Sequence, residues 1–152
     1  MLEELGGIFR GGHESIVFNI HLDSAMPLIL ITPDSLKQVI VNLLKNAIEA
    51  IGDKPEGQIT ITSHGSINFG VDQFIEILIA DNGPGIALTI KDKLFLSNNS
   101  SKGSGHSGLG LSIVKQLLSE MGGLISCRSQ VKGKGSAGTA FQILIPLINI
   151  EQ

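Results

Sequence analysis

From Ile16 the chain alternates, with Ile16, Phe18, Ile20 and Leu22 in one phase and Val17, Asn19 and His21 in the other. A period of two is that of a strand, and "LILIT" downstream reads as another. The period then lengthens. Through "TPDSLKQVIVNLLKNAIEAIG", Leu36, Val39, Ile40, Leu43, Ala47, Ala50 and Ile51 fall on one stripe at about 100° per residue. Thr32 as N-cap, Pro33 at the first helical position, Asp34 in the first turn and Gly52 as the stop bound a helix there. Asn42, Asn46 and Glu49 lie together along its flank.

"GQITITSHG" and "FIEILIADN" predict a hairpin with a loose loop, the second strand nearly all apolar towards its end, as a central strand is. A second helix opens at Gly108 and repeats Val114, Leu117, Leu118 and Met121 at helical spacing until Gly122 and Gly123. "LISCRSQ" and "TAFQILIPL" close the chain as strands around the glycine-rich turn "KGKGSAG". Two segments lack such a pattern. "LEELGGIFRGG" is short and broken by glycines, which predicts a linker over residues 1–12 rather than a core element. Residues 91–107 are rich in Ser, Asn and Gly with few apolar anchors, which predicts a mobile loop. Strands, helix, strands, helix, strands, with neighbours antiparallel, make an α+β two-layer sandwich: a mixed, mostly antiparallel sheet with its helices on one face.

Composition narrows the function classes. At 152 residues, 42% of them hydrophobic and 16% charged, the chain is one ordinary globular domain. A net charge of -3, with six Phe and no Trp or Tyr, argues against a nucleic-acid surface of basic patches and stacking rings. No apolar run approaches the roughly 20 residues of a membrane span, and "MLEELGGIFR" lacks the basic-then-apolar order of a signal peptide. Cys127 is the single cysteine, set among strand residues, so it reads as a packed thiol rather than a metal ligand or disulfide partner. His21 and His64 read as surface residues of strands or turns.

The stretch "GSGHSGLG" fits G-x-G-x-x-G from Gly103 to Gly108. No strand leads into it, and no acidic residue lies between Glu120 and Glu151 to meet a ribose, so the dinucleotide fingerprint fails. As a phosphate loop it fails too, since Leu109 stands where the lysine belongs. What survives is a run of small residues before a helix, whose N–H groups and dipole favour an anion; a flexible, glycine-capped loop is the plain alternative. "ADNGPGI" adds Asp81 at the end of a buried strand, then Gly83 and Gly85.

Together, "NLLKNAIEA", "DNGPG" and "GLGLS" resemble, in order and over about residues 13–147, the catalytic ATP-binding domain of sensor histidine kinases in the GHKL superfamily. The resemblance implies that Asn46 holds Mg²⁺ through a neutral amide oxygen, with phosphate and water completing the shell. It places Asn42 where the ATP-hydrolysing branches carry a water-activating Glu; an amide cannot take that proton, which favours kinase over ATPase. Asp81 accepts from the adenine amino group, Gly83 and Gly85 turn beneath the base, and Thr139 supports both the aspartate and the base. An ATP lid over about 89–107 carries Phe95 and Lys102, the latter reaching the terminal phosphates. Gly108, Leu109 and Gly110 form the last glycine box, with Gly105 as a further member. "SNNSS" replaces the apolar residues that many relatives carry after the lid phenylalanine, and "GHSGLGL" is one residue longer than the common "GTGLGL". His106 reads as an exposed lid residue. Glu49 replaces a basic, phosphate-facing residue of some relatives, and that contact is not carried over.

The resemblance further implies a domain over 13–148 with a tail at 149–152, cytoplasmic, which binds Mg-ATP and releases ADP. It donates the γ-phosphoryl group to a histidine on a dimerisation domain absent from this chain, and a response regulator follows. His13, in "HES", begins like a phosphoacceptor, but strand chemistry follows it and no amphipathic helix. A GHKL ATPase and a non-catalytic docking module are the alternatives.

Overall fold

The computed structural model describes residues 1–12, 15–24, 33–91, 93–96, 109–131 and 136–147. Its elements are α1 (Leu2–Gly12), β1 (Ile16–His21), α2 (Pro33–Ile51), β2 (Gly57–Phe69), β3 (Asp72–Asp81), α3 (Leu88–Lys91), α4 (Leu109–Glu120), β4 (Leu124–Gln130) and β5 (Gly138–Pro146). The five strands form one sheet in the order β1-β2-β3-β5-β4. Only β1 and β2 pair in parallel, the pairing that needs a crossover between strands, and α2 lies in that crossover. The mixed, mostly antiparallel sheet is the one predicted.

One face of the sheet is apolar. Ile59 and Ile61 of β2, Ile75, Ile77 and Ile79 of β3, and Ile143 and Ile145 of β5 are all buried against Val39, Ile40, Leu43 and Leu44 of α2 and Val114 and Leu118 of α4. Each such side chain contributes roughly 1.5–3 kcal/mol on leaving water. Leu44, off the predicted stripe, is also fully buried, because α2 packs on the sheet and on α4 together. The other face is polar at its centre. His64 Nδ1 lies 2.8 Å from Glu76 Oε1, Gln142 Nε2 donates to Glu76 Oε2, and Ser126 Oγ donates to Gln142 Oε1 at 3.1 Å, a chain across four strands. His64 is exposed, as expected of it.

Three expectations are corrected. Residues 2–12, predicted not to be a core element, form helix α1, whose Leu2 and Leu5 join the core. Gly6, read as a helix breaker, permits close approach instead: a Cβ there would lie 2.3 Å from Ile20 Cδ1, so α1 rests directly on β1. The hairpin has no loose loop; β2 and β3 run on to Phe69 and Asp72, with Gly70 at φ 64 in the turn between them. Residues 93–96 of the stretch predicted to be mobile carry real anchors, since Leu94 is buried and Phe95 packs edge-on to Phe141 at 6.5 Å between centroids. The strand expected from "LILIT", the Thr32 cap, His13 and His106 lie outside the described residues.

Candidate nucleotide site

The site is built where the sheet runs out. β3 ends at Asp81, whose register partner on β5 is Thr139, so the two side chains stand side by side on the helix-facing surface. Asp81 is half-buried and Thr139 buried. Beyond Asp81 the chain turns sharply. Gly83 N–H donates to Asp81 Oδ1 at 2.8 Å, which fixes the carboxylate and the turn together. Gly85 follows at φ +80, and a Cβ there would lie 2.2 Å from the carbonyl oxygen of Gln130. No L side chain fits that position without moving β4 or the turn.

Three side chains outside the predicted set hold this turn. Asn82 accepts from Gln58 N–H at 2.7 Å and donates to the Glu56 carbonyl at 2.9 Å, while Lys54 Nζ donates to the Asn82 carbonyl. Ser129, on the opposite side, accepts from Ile86 N–H at 2.6 Å and lies 2.9 Å from Thr139 Oγ1. Asn82 was visible only as part of a turn motif, and Ser129 looked like any strand serine; strand register alone reveals what they touch.

Gly83 also ties the turn to α2. A Cβ on it would lie 3.2 Å from both Ala50 C and Ala50 Cβ, and Ala50 sits one turn beyond Asn46. Asn42 and Asn46 are half-buried on this helix. Asn46 Nδ2 is cut off from solvent and has no hydrogen-bond partner among the described residues, a cost of about 1–3 kcal/mol unless a ligand completes it. Amide oxygen and nitrogen exchange by a half-turn of the side chain, so the group can present its oxygen to a cation or its N–H to a phosphate. Among the described residues no cluster of three His, Cys, Asp or Glu could hold a metal.

The lid side is partly described. Phe95 is half-buried, with Lys115 Nζ 5.8 Å from its ring centroid. Lys102, Gly105 and Gly108 lie outside the described residues; α4 opens at Leu109, and a Cβ on Gly110 would meet nothing within 4 Å. Packing therefore does not demand glycine at 110. Gly110→Ala is expected to leave stability unchanged or raised by up to about 1 kcal/mol of helix propensity, which thermal melts check. A depression of about 350 Å³ also opens at this end of the sheet, lined by residues of β3, β4 and β5 that include Asp81, Ser129 and Thr139. None of its lining comes from α2, so it does not contain the two asparagines. Cys127, beneath, is a packed thiol as expected, pushed up to about 11 chiefly by burial.

Asp81 beside Thr139 at a sheet end and a glycine turn against a helix bearing two asparagines make up the candidate site of this α+β domain. The family of histidine kinase-, DNA gyrase B- and HSP90-like ATPases matches residues 31–149, and the chain belongs to it. Over 133 residues the chain is 35% identical to the sensory histidine kinase/phosphatase NtrB of Rhizobium leguminosarum bv. phaseoli, covering 82% of this chain and 33% of that protein. The chain thus spans about a third of that relative's length. The nucleotide-free catalytic domain of histidine kinase ThkA superposes with a TM-score of 0.77 at 29% identity, covering 95% of this chain and 88% of that one. Full-length ShkA in complex with AMPPNP gives 0.77 at 25% identity, with 95% and 29% covered. A structure of ThkA with the response regulator protein TrrA gives 0.72 at 25% identity, with 99% and 40% covered. No helix among the described residues is long and apolar enough to cross a membrane.

Proposed function

We propose that this domain binds Mg-ATP and donates its γ-phosphoryl group to a histidine on a dimerisation domain outside this chain. The pairing of Asp81 with Thr139 beneath the turn that packs on α2 carries the reading. Asp81 takes the amino group of adenine: an ionised carboxylate accepts through several lone pairs, so it can hold Gly83 N–H and a ligand together. Gly83 and Gly85 keep the backbone low under the base. Thr139 supports the base from the neighbouring strand. Asn46, with its buried and incompletely bonded amide, fits the role of Mg²⁺ ligand. The metal, when bound, neutralises charge on the phosphates, whose oxygens and water complete a shell the protein does not supply.

Asn42, one turn earlier, lacks a carboxylate to take a proton from water, so the site holds ATP for transfer rather than hydrolysis. Lys102 reaches the terminal phosphates from a lid over about 89–107. Phe95 anchors the near end of that lid on Phe141. Gly105, Gly108, Leu109 and Gly110 line the phosphate path. The domain runs over 13–148, with α1 laid against it. ATP supply puts it on the cytoplasmic side of any membrane to which the parent protein is tied, and a response regulator, the kind of partner ThkA is found with, receives the phosphoryl group.

Titration calorimetry is expected to show ATP and ADP binding in the presence of Mg²⁺ with little turnover. Asn46→Ala should lower Mg-ATP affinity by about tenfold and remove most of its Mg²⁺ dependence. A matching dimerisation domain supplied in trans should gain acid-labile phosphohistidine. Failure to bind either nucleotide overturns the reading, and rapid hydrolysis by the domain alone converts it to an ATPase.

A further inference from the structure

A row of side chains crosses the helix-facing side of the sheet: Ile59, Asp81, Thr139 and Ser129 are successive register partners on β2, β3, β5 and β4. Most of that face is apolar, so three adjacent polar groups at its end call for a cause. Ser129 Oγ has three neighbours: Ile86 N–H at 2.6 Å, Thr139 Oγ1 at 2.9 Å and the Gly138 carbonyl oxygen at 3.1 Å. A serine hydroxyl has one hydrogen to give and two lone pairs to offer. The Ile86 N–H can only donate and the Gly138 carbonyl can only accept. A single arrangement satisfies all three contacts: Ser129 donates to Gly138 and accepts from both Ile86 and Thr139. The Thr139 hydrogen is then committed to Ser129, and Thr139 turns lone pairs to its other neighbours.

We propose that Ser129 is a specificity-determining positioning residue, which makes Thr139 an acceptor beside the acceptor-only carboxylate of Asp81 and so selects a base edge bearing an amino group over one bearing a carbonyl. The proposal rests on the nucleotide reading above and adds to it the group that orients the Thr139 hydroxyl. Without Ser129 that hydroxyl turns freely and can donate to a carbonyl. The Gly83–Gly85 turn also loses its tether to β4 at Ile86.

ATP and inosine triphosphate differ at this edge, amino group and bare ring N1 against carbonyl and N1–H, and their affinities with Mg²⁺ are to be measured for the wild type, Ser129→Ala and Ser129→Thr, with melting curves for each. The wild type is expected to prefer ATP. Ser129→Ala should cut that preference by about tenfold, the worth of one hydrogen bond, through a gain for the inosine nucleotide relative to ATP. Ser129→Thr, which keeps the hydroxyl, should retain the wild-type preference, and it decides the matter if the alanine variant does not fold. Equal weakening of both nucleotides by Ser129→Ala, or loss of the preference in Ser129→Thr, overturns the proposal and leaves ATP binding standing. A wild type that binds neither nucleotide overturns both.

Discussion

Asp81→Asn is expected to weaken ATP binding by about a hundredfold, or ~3 kcal/mol, with the melting temperature within a few degrees of wild type. The carboxylate already holds Gly83 N–H at 2.8 Å. An asparagine has one oxygen to share between that N–H and the ligand, and it turns an NH₂ donor towards whatever the second oxygen faced. A donor set against the adenine amino group is repelled, so the loss exceeds that of a neutral hydrogen bond. The side chain keeps its size at a half-buried position, which spares the fold. Wild-type affinity in a calorimetric titration would remove Asp81 from base recognition.

Gly85→Ala acts on the fold itself. At φ +80 an L residue is strained by about 1–2 kcal/mol, and the new Cβ would lie 2.2 Å from Gln130 O and 2.7 Å from Gln130 C. Those atoms are backbone of a paired strand and do not rotate away. The turn must lift from β4, and Ile86 N–H then leaves Ser129. A destabilisation of about 3 kcal/mol is expected, which for a domain of this size lowers the melting temperature by roughly 10 °C. Nucleotide affinity should fall with it, since Asp81 is carried on the same turn. Differential scanning calorimetry reads the first effect, and an unchanged melting temperature would show that the turn relaxes freely.

The periodicities of α2, α4 and β4 were plain in the chain because each element buries one face more than the other, and β5, a central strand with no exposed position, shows as an apolar run. Their bounds follow Pro33, Gly52 and Gly122 closely. Helix α1 was hidden for a definite reason. Gly6 lowers helix propensity, and only the contact with Ile20, distant in sequence, explains why it is there. The anchoring of Phe95 depends in the same way on Phe141. In the candidate site, Asp81, Gly83 and Gly85 were singled out through the family resemblance of "DNGPG" and its companion motifs, whereas Ser129 and Asn82 gain meaning only from strand register and the turn between strands. Long-range pairing is the part of the fold that no local pattern encodes.

The strand order has a consequence for how the domain comes into being on a ribosome. Among the described strands β5 follows the other four in the chain yet lies between β3 and β4, so this sheet cannot be completed before it is made. Until Gly138–Pro146 emerges, β3 presents an unpaired edge with Ile75, Ile77 and Ile79 alongside it, a surface open to mispairing with other chains. Asp81 meets Thr139 in the step that closes this edge. The pairing on which the proposed adenine contact rests therefore arrives with β5 and not before.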